Sequence, residues 1–295
     1  MQIHFHEQSI PSPLAAPYGI TITNNQEVWF TANKGNRIGK IDTNGKLQEI
    51  TIPTENAGLM VITATSRGEI WFTENIANQL GCIDEKGNMT EYTLSTANAG
   101  LYGITEGQNG EIWFTELLAN KIGKIDGDGH ITEYPIPTSN AYPSFLTLGS
   151  DGAIWFTENA ANQIGRITPN GEITEFPLPT AQSGPVGITS GKDGSLWFAA
   201  ITGNYIGKIS VNGVITEYPL PTANAKPHAI VAGLNEDCWF TEWGSNKIGR
   251  LTWDGKITEY DIPTENSEPH GIAVAKDGSV WFAQECNQIG KLYMV

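Results

Sequence analysis

The dipeptide Trp-Phe begins at Trp29, Trp71, Trp113, Trp155, Trp197, Trp239 and Trp281, each copy 42 residues after the last. Seven such steps account for 294 of the 295 residues and leave no room for a second domain. A fixed period in the forties, made of short β-rich runs split by glycine turns, is the pattern of a propeller whose blades bury their faces against one another. The expectation is an all-β fold, a seven-bladed β-propeller of four-stranded antiparallel blades, forming one domain over residues 1–295.

The unit from Leu101 to Ala141 shows how one blade reads. Tyr102–Thr105 is strand-like, Gly107–Gly110 turns, and Glu111–Glu116 alternates around Trp113 and Phe114. Lys121–Asp126 and His130–Ile136 are two further β-rich runs, separated by Gly127-Asp128-Gly129, a hairpin signal. The glycine of that hairpin recurs at Gly45, Gly87, Gly171, Gly213 and Gly255, where a tight turn needs positive φ. Its next copy would fall beyond the last residue, and Pro53 stepped back by one period lands on Pro11. Residues 3–10 are therefore expected to complete the blade formed by 270–293, which removes exposed sheet edges. The Trp-Phe pairs read as packing between blades. The Asn of each Asn-x-Ile-Gly run, as in Asn120 and Asn246, reads as a turn residue bonding its own backbone.

Charge narrows the function. Seventeen basic against 32 acidic residues give a net charge of −15, which opposes the phosphate neutralisation that nucleic-acid binding needs and disfavours anionic membranes. Cys82, Cys238 and Cys286 fall at unrelated repeat positions without CxxC spacing, so neither a disulfide framework nor a zinc site is indicated. The first residues lack a basic segment followed by an apolar stretch, and no run reaches membrane-spanning length. These observations read as a monomeric cytoplasmic protein.

Function belongs where the repeats disagree. The residues starting the inner strands are Tyr18, Met60, Tyr102, Ser144, Val186, His228 and His270. Two residues earlier stand Ala16, Gly58, Gly100, Tyr142, Gly184, Lys226 and Glu268, and the second strands end in Ala32, Glu74, Glu116, Glu158, Ala200, Glu242 and Gln284. Both borders meet at one mouth of the channel, so polar chemistry gathers in blades six, seven and one. His228 and His270 are symmetry mates, and ring closure sets Tyr18 beside His270. On an extended strand Glu268 and His270 point to one side, and a hairpin at Ala275–Gly278 sets His270 opposite Glu285. The Glu of the four other blades reads as loop bonding. Carboxylates converging on one rim suit Mg²⁺, which uses one or two protein carboxylates and keeps waters and substrate oxygens as remaining ligands. A histidine beside such a metal is arranged to abstract a proton next to a carbonyl.

The repeated DGxIWFTE, NxIG and GxITEYPIPT patterns, with Pro227-His228 and Glu268-Pro269-His270-Gly271, resemble the virginiamycin B lyases of staphylococci over the whole chain. The resemblance implies a Mg²⁺-dependent carbon–oxygen lyase that confers antibiotic resistance. Its substrate would be a type B streptogramin, a cyclic depsipeptide antibiotic closed by an ester on a threonine side chain. His270 then matches the general base, Glu268 a metal ligand and His228 a substrate contact, with Tyr18 binding substrate nearby. The second metal carboxylate falls at Gln284, which reads as an introduced Glu→Gln change that weakens metal binding, with Glu285 as the alternative ligand. Two other readings remain: a non-enzymatic propeller binding peptide or protein, and a metal-dependent hydrolase of esters or lactones.

Overall fold

The computed structural model describes residues 3–294. Its 28 strands form seven four-stranded antiparallel sheets, and no helix occurs among the described residues. Blade one runs from Pro17 to Thr51, and blades two to six follow at the expected period up to Asp261. Blade seven takes its first three strands from Pro269–Val274, Val280–Gln284 and Gln288–Met294, and its fourth from Ile3–Ser9, with Ile3 opposite Met294 and Ser9 opposite Gln288. The expected closure is thus present. None of the described segments is a helix long and apolar enough to cross a membrane.

The Trp-Phe pairs hold the ring together. Each Phe of the second strand is fully buried and lies over a glycine of the third strand; a Cβ at Gly123 would sit 2.1 Å from the ring of Phe114. Burying such a ring contributes about 2 kcal/mol. In blades two to six the Trp faces an outer-strand aromatic of its own blade, as Trp113 stacks on Tyr134 with centroids 5.9 Å apart. The apolar clusters bridge neighbouring blades; that around Phe282 combines Trp239 and Ile248 of blade six with Ile272 and Val280 of blade seven.

Polar stitches set the blade-to-blade geometry. The repeated Asn has positive φ, 58° at Asn120, but its side chain reaches past its own turn. Asn120 Nδ2 donates to Thr138 O at 3.0 Å and its Oδ1 accepts from Ala141 N at 2.7 Å, tying the outer strand's exit to the next blade. The outer-strand Glu accepts from the preceding blade: Thr222 Oγ1 donates to Glu259 and, across the closure, Thr264 Oγ1 donates to Glu7 Oε2 at 3.0 Å. Gln284 Nε2 donates to the other oxygen, Glu7 Oε1, at 2.9 Å.

Candidate active site

Every inner strand is bulged just after its first residue; in blade seven Pro269 pairs with Gln284 and Ile272 with Phe282, with a shift between. A bulge turns the side chain it carries away from the regular pleat, and the bulged residues are Tyr18, His228, His270 and their equivalents. In five blades a threonine two residues after Trp fixes that bend: Thr241 Oγ1 accepts from Ala229 N at 3.0 Å and donates to His270 O at 2.8 Å. Blades seven and one also approach closely, since a Cβ on Gly271 would lie 2.6 Å from Tyr18 O.

At the mouth, the residue two before each bulge accepts a backbone hydrogen bond from the residue four after the same blade's Trp. Asn33 N donates to Ala16 O, Leu117 N to Gly100 O, Trp243 N to Lys226 O, and Glu285 N to Glu268 O at 3.3 Å. The fold therefore presents seven such pairs, and only blade seven fills both places with carboxylates. The acceptor residue is left-handed throughout: three blades use glycine, whereas Ala16, Tyr142, Lys226 and Glu268 hold φ between 46° and 55°. A side chain there costs about 1 kcal/mol; strain of this kind collects at functional sites. Glu268 thus reaches the mouth through a left-handed residue just before the strand, not from the strand expected to carry it beside His270.

Around His270 the groups converge as expected for Tyr18, His228, Glu268 and Glu285. His270 Nε2 lies 3.0 Å from Glu285 Oε1, and Lys34 Nζ of blade one lies 3.9 Å from Glu285 Oε2. The hydrogen bond with His270 holds the Glu285 carboxyl below the usual carboxylate range, helped by the His270 and Lys34 charges and by contact with the Glu268 side chain. Tyr18 leans on His270 with centroids 4.4 Å apart and an interplanar angle of 30°, while His228 meets His270 edge-on at 4.7 Å. Tyr18 Oη is 3.3 Å from His228 Nε2. Burial, then the neighbouring His270, pushes the His228 pKa well down, so this ring is neutral. Both Nδ1 atoms are buried without a partner, which leaves Nε2 as the nitrogen of His270 facing the carboxylates. Trp243 stands 6.3 Å from His270, with Lys226 Nζ over its ring at 4.6 Å.

Gln284 is placed otherwise than expected. It is fully buried inside the blade and occupied with Glu7, at the position where Glu74, Glu116, Glu158 and Glu242 are fully buried in theirs. Those four are interior carboxyls: burial pushes Glu116 and Glu158 up to about 8 and Glu74 and Glu242 up to about 7, with the neighbouring outer-strand Glu adding to the shift. Gln284 donates permanently where they donate only when protonated. The expected register is also displaced, because Glu268 rather than His270 pairs with Glu285.

Sequence reasoning named Glu285 but missed the series it belongs to, Asn33, Asn75, Leu117, Asn159, Ile201 and Trp243 in the other blades. Asn33 and Asn75 donate to the next blade's backbone, to Leu59 O and Leu101 O at 2.6 and 2.8 Å; a carboxylate cannot. One signal was visible: the turn Asn recurs every 42 residues to Asn246 and then after 41 at Asn287, marking a shortened loop at Glu285. Elsewhere Asp126, Asp128 and His130 cluster on an exposed hairpin of blade three. There Asp126 Oδ1 accepts from two backbone N–H groups, as Asp42 does in blade one, which is turn chemistry.

One mouth of the seven-bladed ring thus carries a histidine, two tethered carboxylates and flanking aromatic groups, and comparison with known proteins gives the class, a propeller lyase. Residues 3–292 match the Virginiamycin B lyase family, and the chain belongs to it. A streptogramin B lyase structure is 53% identical over 99% of this chain and 98% of its own, with a TM-score of 0.98. The catalytically inactive H270A virginiamycin B lyase from Staphylococcus aureus, solved with quinupristin, is 52% identical over 100% of both chains, with a TM-score of 0.97. A virginiamycin B lyase of Bacillus licheniformis is 53% identical over 47 residues, 16% of either chain.

Proposed function

We propose that this lyase opens type B streptogramins, cyclic depsipeptides closed by an ester on a threonine side chain, by β-elimination with His270 as the base. The supporting observation is the pairing of Glu268 with Glu285 beside His270 Nε2, in the one blade whose mouth carries two carboxylates. With its own proton on Nδ1 and Glu285 displaced from Nε2 by the incoming substrate, His270 Nε2 takes the threonine α-proton; the electron pair left behind forms the Cα=Cβ bond as the Cβ–O bond breaks and the ester carboxylate departs. Glu285, kept ionised by the same imidazole, offsets the charge that His270 acquires. Such a positioned base contributes about 10²- to 10⁴-fold. Tyr18 and His228 bind substrate and wall off water on one side, and Trp243 offers it a face on the other.

Two carboxylates are a hard oxygen donor set that fits Mg²⁺, and we assign them to Glu268 and Glu285 rather than to Gln284, whose amide is committed to Glu7. Bound there, the ion would supply positive charge to polarise the carbonyl beside the acidic Cα. A monomeric, cytoplasmic enzyme of antibiotic resistance goes with this reading.

Mass spectrometry of a type B streptogramin incubated with the protein, with Mg²⁺ and with EDTA, tests the reaction. A linear product of unchanged mass that disappears with EDTA is expected. Gain of one water would mean hydrolysis of the ester, and binding without any product would mean a non-enzymatic propeller.

A further inference from the structure

Beside the carboxylates, rings from five blades meet across the channel. Tyr18 packs on His270 and His228, His228 on Phe145, and Phe145 on Tyr102, whose ring returns to Tyr18 with centroids 6.2 Å apart. Tyr102 belongs to blade three, and its hydroxyl crosses the channel to hydrogen-bond the hydroxyl of Tyr18 in blade one. Blade two lies between them and leaves the path open, because the Sδ of its mouth residue, Met60, accepts from Asn33 Nδ2 at 3.2 Å.

We propose that Tyr102 is a positioning residue for the elimination: its hydroxyl holds the Tyr18 ring against His270 and the Tyr18 hydroxyl at His228. The inference rests on the lyase reading. Tyr18 Oη has two partners in the structure, Tyr102 and, at the longer separation of 3.3 Å, His228 Nε2. Removing the Tyr102 hydroxyl leaves only the weaker contact, and the Tyr18 ring is then free to swing from the face of His270. Geometry at the base would loosen while Trp243, His228 and the two carboxylates that also receive substrate stay in place, so the loss falls more on turnover than on binding.

Tyr102→Phe, Tyr18→Phe and the double variant, assayed beside the wild type for ring opening and thermal melting, test this. Tyr102→Phe is expected to lower kcat about tenfold, with KM within about twofold of wild type and little change in melting temperature. Because Tyr102 acts through Tyr18, the double variant should be no slower than Tyr18→Phe alone. Wild-type kcat in Tyr102→Phe, or losses that multiply in the double variant, overturns the proposal. If Tyr102→Phe does not fold, Tyr18→Phe removes the same hydroxyl pair, and full activity there overturns it equally. Absence of ring opening by the wild type would instead sink the lyase reading.

Discussion

Blades three and seven share a register, a bulge and a buried Phe, yet they use their carboxyl groups in opposite ways. In blade three the second strand ends in a buried carboxyl, Glu116, set against Glu133, and the mouth pair above it is Gly100 and Leu117. In blade seven the buried position holds an amide, Gln284, bonded to Glu7, and the mouth pair is Glu268 and Glu285. The carboxylate has moved one residue along the chain, from the interior to the mouth, where the shortened loop begins. A repeat thus acquires a site by small exchanges at neighbouring positions, one of which keeps the interior satisfied without a proton while its neighbour faces substrate.

The largest effect separating the two blades should come from His270→Ala. It removes the base and is expected to lower kcat by about 10²- to 10⁴-fold with melting unchanged, whereas Tyr102→Ala in blade three would cost far less; equal losses, measured by initial rates, would erase the distinction.

Next comes pH. The buried carboxyls of blades two, three, four and six are pushed up to about 7 or 8 from an ordinary 4.5. A raised folded-state pKa means stability fully present below the unfolded value and lost as pH rises through the folded one. Melting temperature should therefore fall between pH 5 and about 8, and Glu116→Gln, which gives blade three the amide of blade seven, should flatten that fall. A steeper profile in Glu116→Gln would show that the amide does not take over the role of the protonated carboxyl.

The smallest effect concerns the left-handed mouth residue. Tyr142→Gly gives blade four the residue that blades two, three and five already carry at this place, and relief of φ 55° is expected to raise stability by about 0.5 kcal/mol. A urea denaturation curve shifted to a lower midpoint would show that Tyr142 is held by packing that outweighs the strain.

The period of Trp-Phe makes the ring legible in the chain itself, because each second strand must bury the same ring over the same glycine. Tyr18, His228, Glu268 and His270 are legible as departures from that repeat. The placement of Gln284 and Glu285 is not, since the Ala275–Ser279 loop displaces the register by one residue and the bulge by one more. Nor is that of Tyr102, whose role depends on a partner two blades away that spacing along the chain does not reveal.

Blade seven, on this reading, acts through Glu285 and merely stands on Gln284. The decisive measurement is the rate of ring opening of a type B streptogramin at saturating Mg²⁺, taken for Glu285→Gln and Gln284→Glu side by side. A loss of about 10²-fold is expected for Glu285→Gln, with near wild-type turnover for Gln284→Glu. Faster turnover in Gln284→Glu together with full activity in Glu285→Gln would refute this assignment and return the metal to position 284.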